Sequence, residues 1–384
     1  ERDYTAKLFR QAHNTTFDFP TNYMVHKATE ESVLGGGAYG VVVKISGRKR
    51  DGTETIMAVK KFTDPFSFHI KAQRCYREIK ILQQLDHRSI VKVVDLYTPD
   101  EYPDDLQRVY LVTKYSGCTI HQYMQEQIKN RAVMLQLIHI KIIIYETVCA
   151  LNYLYSAGIV HRDLSPSNIT LTESTHPDGP NKVTLIDFGL ARVTDSSMTT
   201  YVCTRNYRAP EINWWKIGTY DHKADMWSLG CILGELIIWK KLFPSSKTVD
   251  ILHVQMDLCG PIDSEMLERR ASTGTRKTLM ELSKDKMRQD FYRYFTQWNQ
   301  TTEQLDGHVI DFLENTLQFD PDKRIELDAA LAHPFLADVR EREFETKAAR
   351  MIDNDDATQR ETREWKHLIW NEINNFRPNE LTPI

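Results

Sequence analysis

No C-x-x-C pair occurs anywhere in the 384 residues; six cysteines, at positions 75, 118, 149, 203, 231 and 259, are scattered along the chain. That scatter argues against a zinc site or a disulfide framework and for a reducing compartment. Neither sign of charge dominates: 49 Lys and Arg stand against 53 Asp and Glu, a net −4 with the signs interspersed. No nucleic-acid backbone and no membrane surface is implied as a partner. The short basic run Arg48-Lys49-Arg50, beside Gly47 and Asp51-Gly52, reads as a solvated hairpin turn in preference to a localisation signal. Long unbroken apolar runs are missing too. The most apolar window, "LIHIKIIIYETVCALNYLY", is interrupted by Lys141 and Glu146, so a buried helix is expected and no membrane insertion. No signal peptide is visible in "ERDYTAKLFRQ", where the missing initiator Met suggests trimming, and no internal repeat is found.

What remains is an ordinary globular composition, 41% hydrophobic and 27% charged, long enough for one large domain or two lobes. From Glu31 to Tyr115 the signals are mostly strand. In "ETIMAVKKF" alternation puts Ile56, Ala58, Lys60 and Phe62 on one face and Met57 and Val59 on the other. Ala72, Cys75, Tyr76, Ile79 and Leu82 then recur at helical steps, with Glu78 beside that stripe. A second strand, "RVYLVTKY", ends in the Ser116-Gly117 break, a plausible hinge. Beyond it the text turns helical: Leu135 to Ala157 is apolar almost all round, with Gly158 as its stop, and "DMWSLGCILGELIIW" is a further helix. The polar segment from Ser264 to Glu303 reads as an insertion.

"LGGGAYGVV" supplies G-x-G-x-x-G-x-V through Gly35, Gly37, Gly40 and Val42. Such a run between two strands suits a backbone flap over phosphates, because a residue without a side chain lets N–H groups approach closely. A dinucleotide fold needs strand then helix and an acidic residue about 20 positions later. Lys60 stands there instead, on the same face as Ala58. An ammonium at that place pairs with phosphates, the alanine leaves space for an adenine ring, and Glu78 can hold the ammonium. His161-Arg162-Asp163 alone would occur by chance in about 5% of chains this long, at ~1/20 per position. Asn168 at the required offset, and Asp187-Phe188-Gly189 at a strand end, make coincidence untenable. Asp187 and Asn168 offer hard oxygen ligands for Mg2+, and Asp163 can take the proton of an incoming hydroxyl.

These motifs resemble a eukaryotic protein kinase, and more narrowly a mitogen-activated protein kinase of the proline-directed group. The match runs from about Phe17 to the C-terminus, through Ala209-Pro210-Glu211, "DMWSLG" (Asp225, Trp227, Gly230), Arg324, "TTYVCTRNYRAPE", "FDPDKRIELDAALAHPFL" and "LIWNEINNFRP". The resemblance implies an α+β, bilobal fold: a small β-rich N-lobe with one main helix and a larger, mostly helical C-lobe. Its expected bounds are 1–22 for an N-terminal extension, 23–116 for the N-lobe and 117–336 for the C-lobe. Within the C-lobe lie an activation segment, 187–211, and an insert at about 264–304; a C-terminal extension, 337–384, returns to the N-lobe. ATP is expected in the cleft, against Leu34, Gly35, Gly36, Gly37, Ala38, Tyr39, Gly40, Val41, Val42, Ala58, Lys60 and Glu78. The hinge, Lys114, Tyr115 and Ser116, lies behind a small gatekeeper, Thr113. Thr199 and Tyr201 are the implied phosphorylation sites, with Arg74, Arg162 and Arg192 reading the first phosphate and Arg205 and Arg208 the second. Arg324 is implied to pair with Glu211.

The implied activity is transfer from ATP to serine or threonine followed by proline. An upstream dual-specificity kinase, phosphatases and docking-motif proteins are the implied partners, in cytoplasm and nucleus. Asp353, Asp355 and Asp356 are offered as an acidic docking patch, against a plain solvated stretch. Three residues depart from the family pattern: Ser165 replaces a phosphate-facing lysine, Asn206 an aromatic residue, and Thr200 is an unusual middle residue between Thr199 and Tyr201. A non-catalytic signalling scaffold is the competing reading. Retention of Lys60, Asp163 and Asp187 favours the enzyme.

Overall fold

The computed structural model describes residues 2–9, 14–21, 23, 33–37, 39–48, 54–130, 135–172, 182–193, 205–214, 221–245, 247–353, 355 and 358–377. Two units emerge: Glu1–Asp86 with Val91–Ser116 and Asp353–Ile384, and His87–Ile90 with Gly117–Ile352.

In the first unit β1 (Tyr4–Phe9) and β2 (Thr15–Pro20) form an antiparallel ribbon. β3 (Val33–Gly37), β4 (Gly40–Arg48), β5 (Glu54–Phe62), β6 (Val93–Tyr97) and β7 (Tyr110–Lys114) make an antiparallel sheet ordered β3-β4-β5-β7-β6, with α1 (His69–Leu82) between β5 and β6 in the chain. Met57 and Val59 are fully buried while Ile56 is exposed, as the alternation of β5 predicts. The face they occupy, with Val41, Val43, Ile45, Tyr110 and Val112, packs against Phe9, Phe17, Phe19 and Tyr23. Residues 1–22, expected only as an extension, therefore carry two strands whose aromatic side chains cover one side of the sheet. The seam contains a buried charge. Asp95 takes Arg2 Nη1 at 2.6 Å and the Tyr23 hydroxyl at 2.5 Å, the pairing a desolvated carboxylate requires.

The second unit begins with β8 (Cys118–Thr119), α2 (Ile120–Asn130) and α3 (Leu137–Ser156). Then come β9 (Ile159–Val160), β10 (Ile169–Thr172), β11 (Lys182–Leu185) and β12 (Arg192–Val193). After them the unit is helical: α4 (Pro210–Trp214), α5 (His222–Ile238), α6 (Thr248–Cys259), α7 (Ser264–Arg270), α8 (Thr273–Ser283), α9 (Phe291–Trp298), α10 (Gly307–Thr316) and α11 (Leu327–Leu331). α3 is long and apolar enough to cross a membrane, yet most of it is buried inside this unit, among α5, α11, β9 and β11. Gly158, just past its end, has φ +75°, the left-handed stop that glycine supplies. Every residue of α5 is buried, and Asp221 caps its start by accepting the Lys223 N–H. The stretch expected as an insertion is α7 to α9, anchored by buried Met266, Leu267, Leu279, Phe291 and Phe295.

The chain closes with α12 (Thr362–Asn375), which belongs to the first unit; residues 337–352 stay with the second. α12 lies on α1, with Trp365 against Tyr76 at 5.4 Å between rings and Lys80 Nζ 2.7 Å from Glu372 Oε1. Asp355, offered above as part of a docking patch, holds Arg360 through Oδ2 at 2.5 Å; Asp356 lies outside the described residues.

Candidate active site

The glycine run sits inside the strands and not merely between them. Gly35, Gly36 and Gly37 pair with Val42, Val41 and Gly40, and Tyr39 is in a turn; Ala38 lies outside the described residues. A two-against-one irregularity at Leu34 bends the ribbon. A Cβ at Gly35 or Gly37 would meet nothing within 4 Å. The fold does not itself demand glycine there. Gly40 is different: a Cβ would lie 2.9 Å from Lys61 O and 3.1 Å from Lys60 Cε, so the strand passes flat over the Lys60 stem.

Lys60 pairs across the sheet with Val42 on β4 and Leu111 on β7, and Ala58 lies directly opposite Thr113. Val42, Ala58, Lys60 and Thr113 thus share the face opposite the aromatic seam. α1 covers it from the Lys60 end: Lys60 Nζ is 2.6 Å from Glu78 Oε1, with side chains 15% and 4% exposed. That burial makes the pair a charge-assisted bond that solvent screens little. The chain leaves the sheet through half-buried Thr113, exposed Lys114, and half-buried Tyr115 and Ser116; Lys44 Nζ lies 4.6 Å from the Tyr115 ring. Arg74, expected to read a phosphate, places its guanidinium 4.5 Å from the centre of the Tyr39 ring.

The second unit gathers the other predicted residues around a turn that α5 holds in place. Asp225, in the first turn of α5, accepts the His161 and Arg162 N–H groups at 2.8 and 2.9 Å. Arg162 needs that support, because its φ is +71° in a residue other than glycine. Burial raises the Asp225 carboxyl above the usual range, against the pull of His161 and the two N–H groups. His161 Nδ1 accepts the Asp163 N–H, which leaves Nε2 to donate to Ile186 O at 3.3 Å. Burial also lowers its pKa, so the ring stays neutral, packed edge-on to Phe188 at 5.0 Å.

Asn168 Nδ2 donates to both Asp163 O (2.7 Å) and Asp163 Oδ2 (3.0 Å), and Asn168 O receives the Ile186 N–H at 2.9 Å. The stretch from Asp163 to Asn168 and the Asp187-Phe188-Gly189 turn are thereby tied side by side. Asp187 is exposed at φ +58°, with one carboxylate oxygen taking the Gly189 N–H at 3.2 Å. Ser165 is 1% exposed, and its hydroxyl finds no hydrogen-bond partner among the described residues. Arg162, Arg192 and Arg208 are buried, while Arg205 opens a short helical turn, Arg205–Tyr207. Thr199, Thr200 and Tyr201 lie outside the described residues.

The segment after them is bolted down. Tyr207 donates to Glu235 Oε2 at 2.6 Å, Ser228 Oγ to Tyr207 O at 2.7 Å, and Arg324 grips Glu211 through two bonds of 2.5 and 2.6 Å. Asn206, one of the three departures, sends Nδ2 to Phe243 O (2.8 Å) and Ser245 O (3.2 Å). Sequence reasoning gave that residue no partner, since carbonyl acceptors carry no side-chain signature.

The protein kinase domain model matches residues 28–336, which makes this chain a protein kinase. Among curated relatives, mitogen-activated protein kinase pmk-3 of Caenorhabditis elegans is 38% identical over 98% of this chain and 78% of its own length. Mitogen-activated protein kinase pmk-1 of the same worm is 40% identical over 90% and 85%, and p38b of Drosophila melanogaster 33% over 98% of each. The chain belongs to the mitogen-activated protein kinases. Its activity is that of a protein serine/threonine kinase in signalling, with ATP as phosphoryl donor.

Proposed function

We propose that Asp163, Lys60, Asn168 and Asp187 carry the transfer, that the acceptor is a serine or threonine followed by proline, and that phosphorylation of Thr199 and Tyr201 switches the enzyme on. The observation that carries the reading is the Asn168 carboxamide, whose Nδ2 donates to the backbone oxygen and to one carboxylate oxygen of Asp163. With Nδ2 committed to Asp163, Asn168 Oδ1 and the Asp187 carboxylate would together make a two-residue set of hard oxygen donors. Such a set fits Mg2+, which keeps waters and takes substrate phosphates for its remaining positions. When bound, Mg2+ neutralises charge on the phosphate oxygens.

The chain's own groups do the rest. Asp163, half-buried, accepts the proton of the acceptor hydroxyl as its oxygen bonds to the terminal phosphorus and the bond to ADP breaks. Lys60, held by Glu78, offsets charge on the phosphates beneath the glycine ribbon. His161, through Nδ1, and Asp225, through the His161 and Arg162 N–H groups, keep Asp163 in place. An upstream dual-specificity kinase, phosphatases and docking-motif proteins complete the proposed circuit, in cytoplasm and nucleus.

The test is radiolabelled phosphate transfer to peptides with and without proline after the acceptor, using dually phosphorylated protein and Asp187→Ala. Preference for the proline peptide, lost in Asp187→Ala, is expected. Transfer confined to the peptides without proline would remove the proline-directed assignment, and transfer no greater than that of Asp187→Ala would remove the catalytic one.

A further inference from the structure

Helix α1 holds the sheet of its own unit at two points one helical turn apart. Glu78 takes the Lys60 ammonium, and four residues earlier, on the same helical face, Arg74 lies over the Tyr39 ring. Tyr39 forms the tip of the glycine ribbon; its carbonyl accepts the Thr63 N–H at 3.2 Å, and the residue is 46% exposed. The next residue, Gly40, rests on the Lys60 stem, close enough that a Cβ would meet Lys60 Cε and Cγ at 3.1 and 3.3 Å. The contacts close into a ring: Tyr39 in the turn and Gly40 at the start of β4, the Lys60 stem, Glu78, then Arg74 one turn back and over Tyr39 again. A movement of α1 that parts Glu78 from Lys60 also draws Arg74 off Tyr39.

We propose that Arg74 is a positioning residue for nucleotide: its guanidinium sets the height of the glycine ribbon, so that ribbon and Lys60 are made ready, or released, together. The inference rests on the nucleotide role proposed above for the ribbon and Lys60. Arginine suits the task because a planar guanidinium spreads over a ring face, whereas the compact, strongly hydrated ammonium of lysine covers less of it. The ligand class is a nucleoside diphosphate or triphosphate, whose phosphates a lowered ribbon would meet with backbone N–H groups.

The experiment measures binding of N-methylanthraniloyl-ADP to the full, unphosphorylated chain, so that any phosphate-reading role of Arg74 is silent. Variants are Arg74→Met, Arg74→Lys, Tyr39→Leu, Tyr39→Phe and the double Arg74→Met/Tyr39→Leu. An exposed cation–ring contact predicts that Arg74→Met and Tyr39→Leu each weaken binding by about two- to fivefold, chiefly through faster release. Tyr39→Phe, which keeps the ring, stays near the parent, Arg74→Lys falls between parent and Arg74→Met, and the double variant is no weaker than either single one. Losses that multiply in the double variant, or an unchanged affinity in Arg74→Met, would overturn the proposal. Thermal midpoints are followed in parallel: a drop in midpoint without coupling in binding marks a merely structural contact and counts against it. Lys60→Met separates the two levels, because nucleotide binding that this change leaves intact removes the underlying reading and not only the role of Arg74.

Discussion

Removing the Asn206 carboxamide should impair recognition of the protein acceptor and spare recognition of ATP. Asn206→Ala deletes two donated hydrogen bonds, to Phe243 O and Ser245 O, at a half-buried position where water can partly replace them. At about 0.5 to 1.5 kcal/mol each, and with water compensating, the loss is about 1 to 2 kcal/mol. That free energy holds residues 205–207 in one arrangement. Removing it multiplies the ordered-to-disordered ratio by about 0.03 to 0.2. If the ordered form is only about half populated in the parent, KM for a proline-containing peptide rises about three- to fifteenfold, and less if order is stronger. Steady-state kinetics with peptide and ATP varied in turn supply the assay. A KM for ATP that rises as steeply as the peptide KM, or a peptide KM that does not move while the thermal midpoint falls, would refute the reasoning and leave Asn206 as a stability residue.

Two further outcomes are expected. Ser165→Lys restores a cation where the family carries one; a charge-assisted contact of about 1 to 3 kcal/mol corresponds to about five- to 150-fold in turnover, with ATP affinity within a few-fold. A variant no faster on the proline peptide would show that Ser165 is not a deficit. The second outcome concerns Glu146, whose carboxyl burial pushes above its ordinary value of 4.5 against the pull of Arg88, the Ser89 hydroxyl and the Val183 N–H. Its stabilising contribution is therefore complete below that value and shrinks as pH rises through the raised one. Urea midpoints should show a larger advantage of the parent over Glu146→Gln at about pH 4.5 than at about pH 7; a gap independent of pH would contradict this.

The elements that were legible in the sequence are those whose signal is local. β5, α1, the end of α3 at Gly158 and the helix carrying Asp225 follow from periods of two and 3.6 and from a left-handed stop, all within a window of about 18 residues. The chemistry-bearing residues were legible for a related reason: phosphoryl transfer needs particular side chains at fixed offsets. What was missed depends on partners far along the chain. Asp95 inside "VVDLY" reads as a misplaced charge until Arg2 and Tyr23 are brought to it, and no spacing rule joins positions 72 and 93 residues apart. The resemblance gave Arg74 a phosphate to read and said nothing of the Tyr39 ring, whose contact depends on the course of the ribbon, which the sequence does not spell out. The burial of Ser165 was invisible, since serine is as common in exposed turns as anywhere.

The first unit is assembled from stretches separated by more than two hundred residues, with α12 supplied last. On a ribosome adding about 5 to 20 residues per second, the sheet and α1 therefore wait tens of seconds before their covering helix is synthesised. Through that interval the surface of α1 around Tyr76, which Trp365 later seals, faces the cell bare. A stop codon placed ahead of Thr362 would remove α12 and with it the Trp365 ring that covers Tyr76.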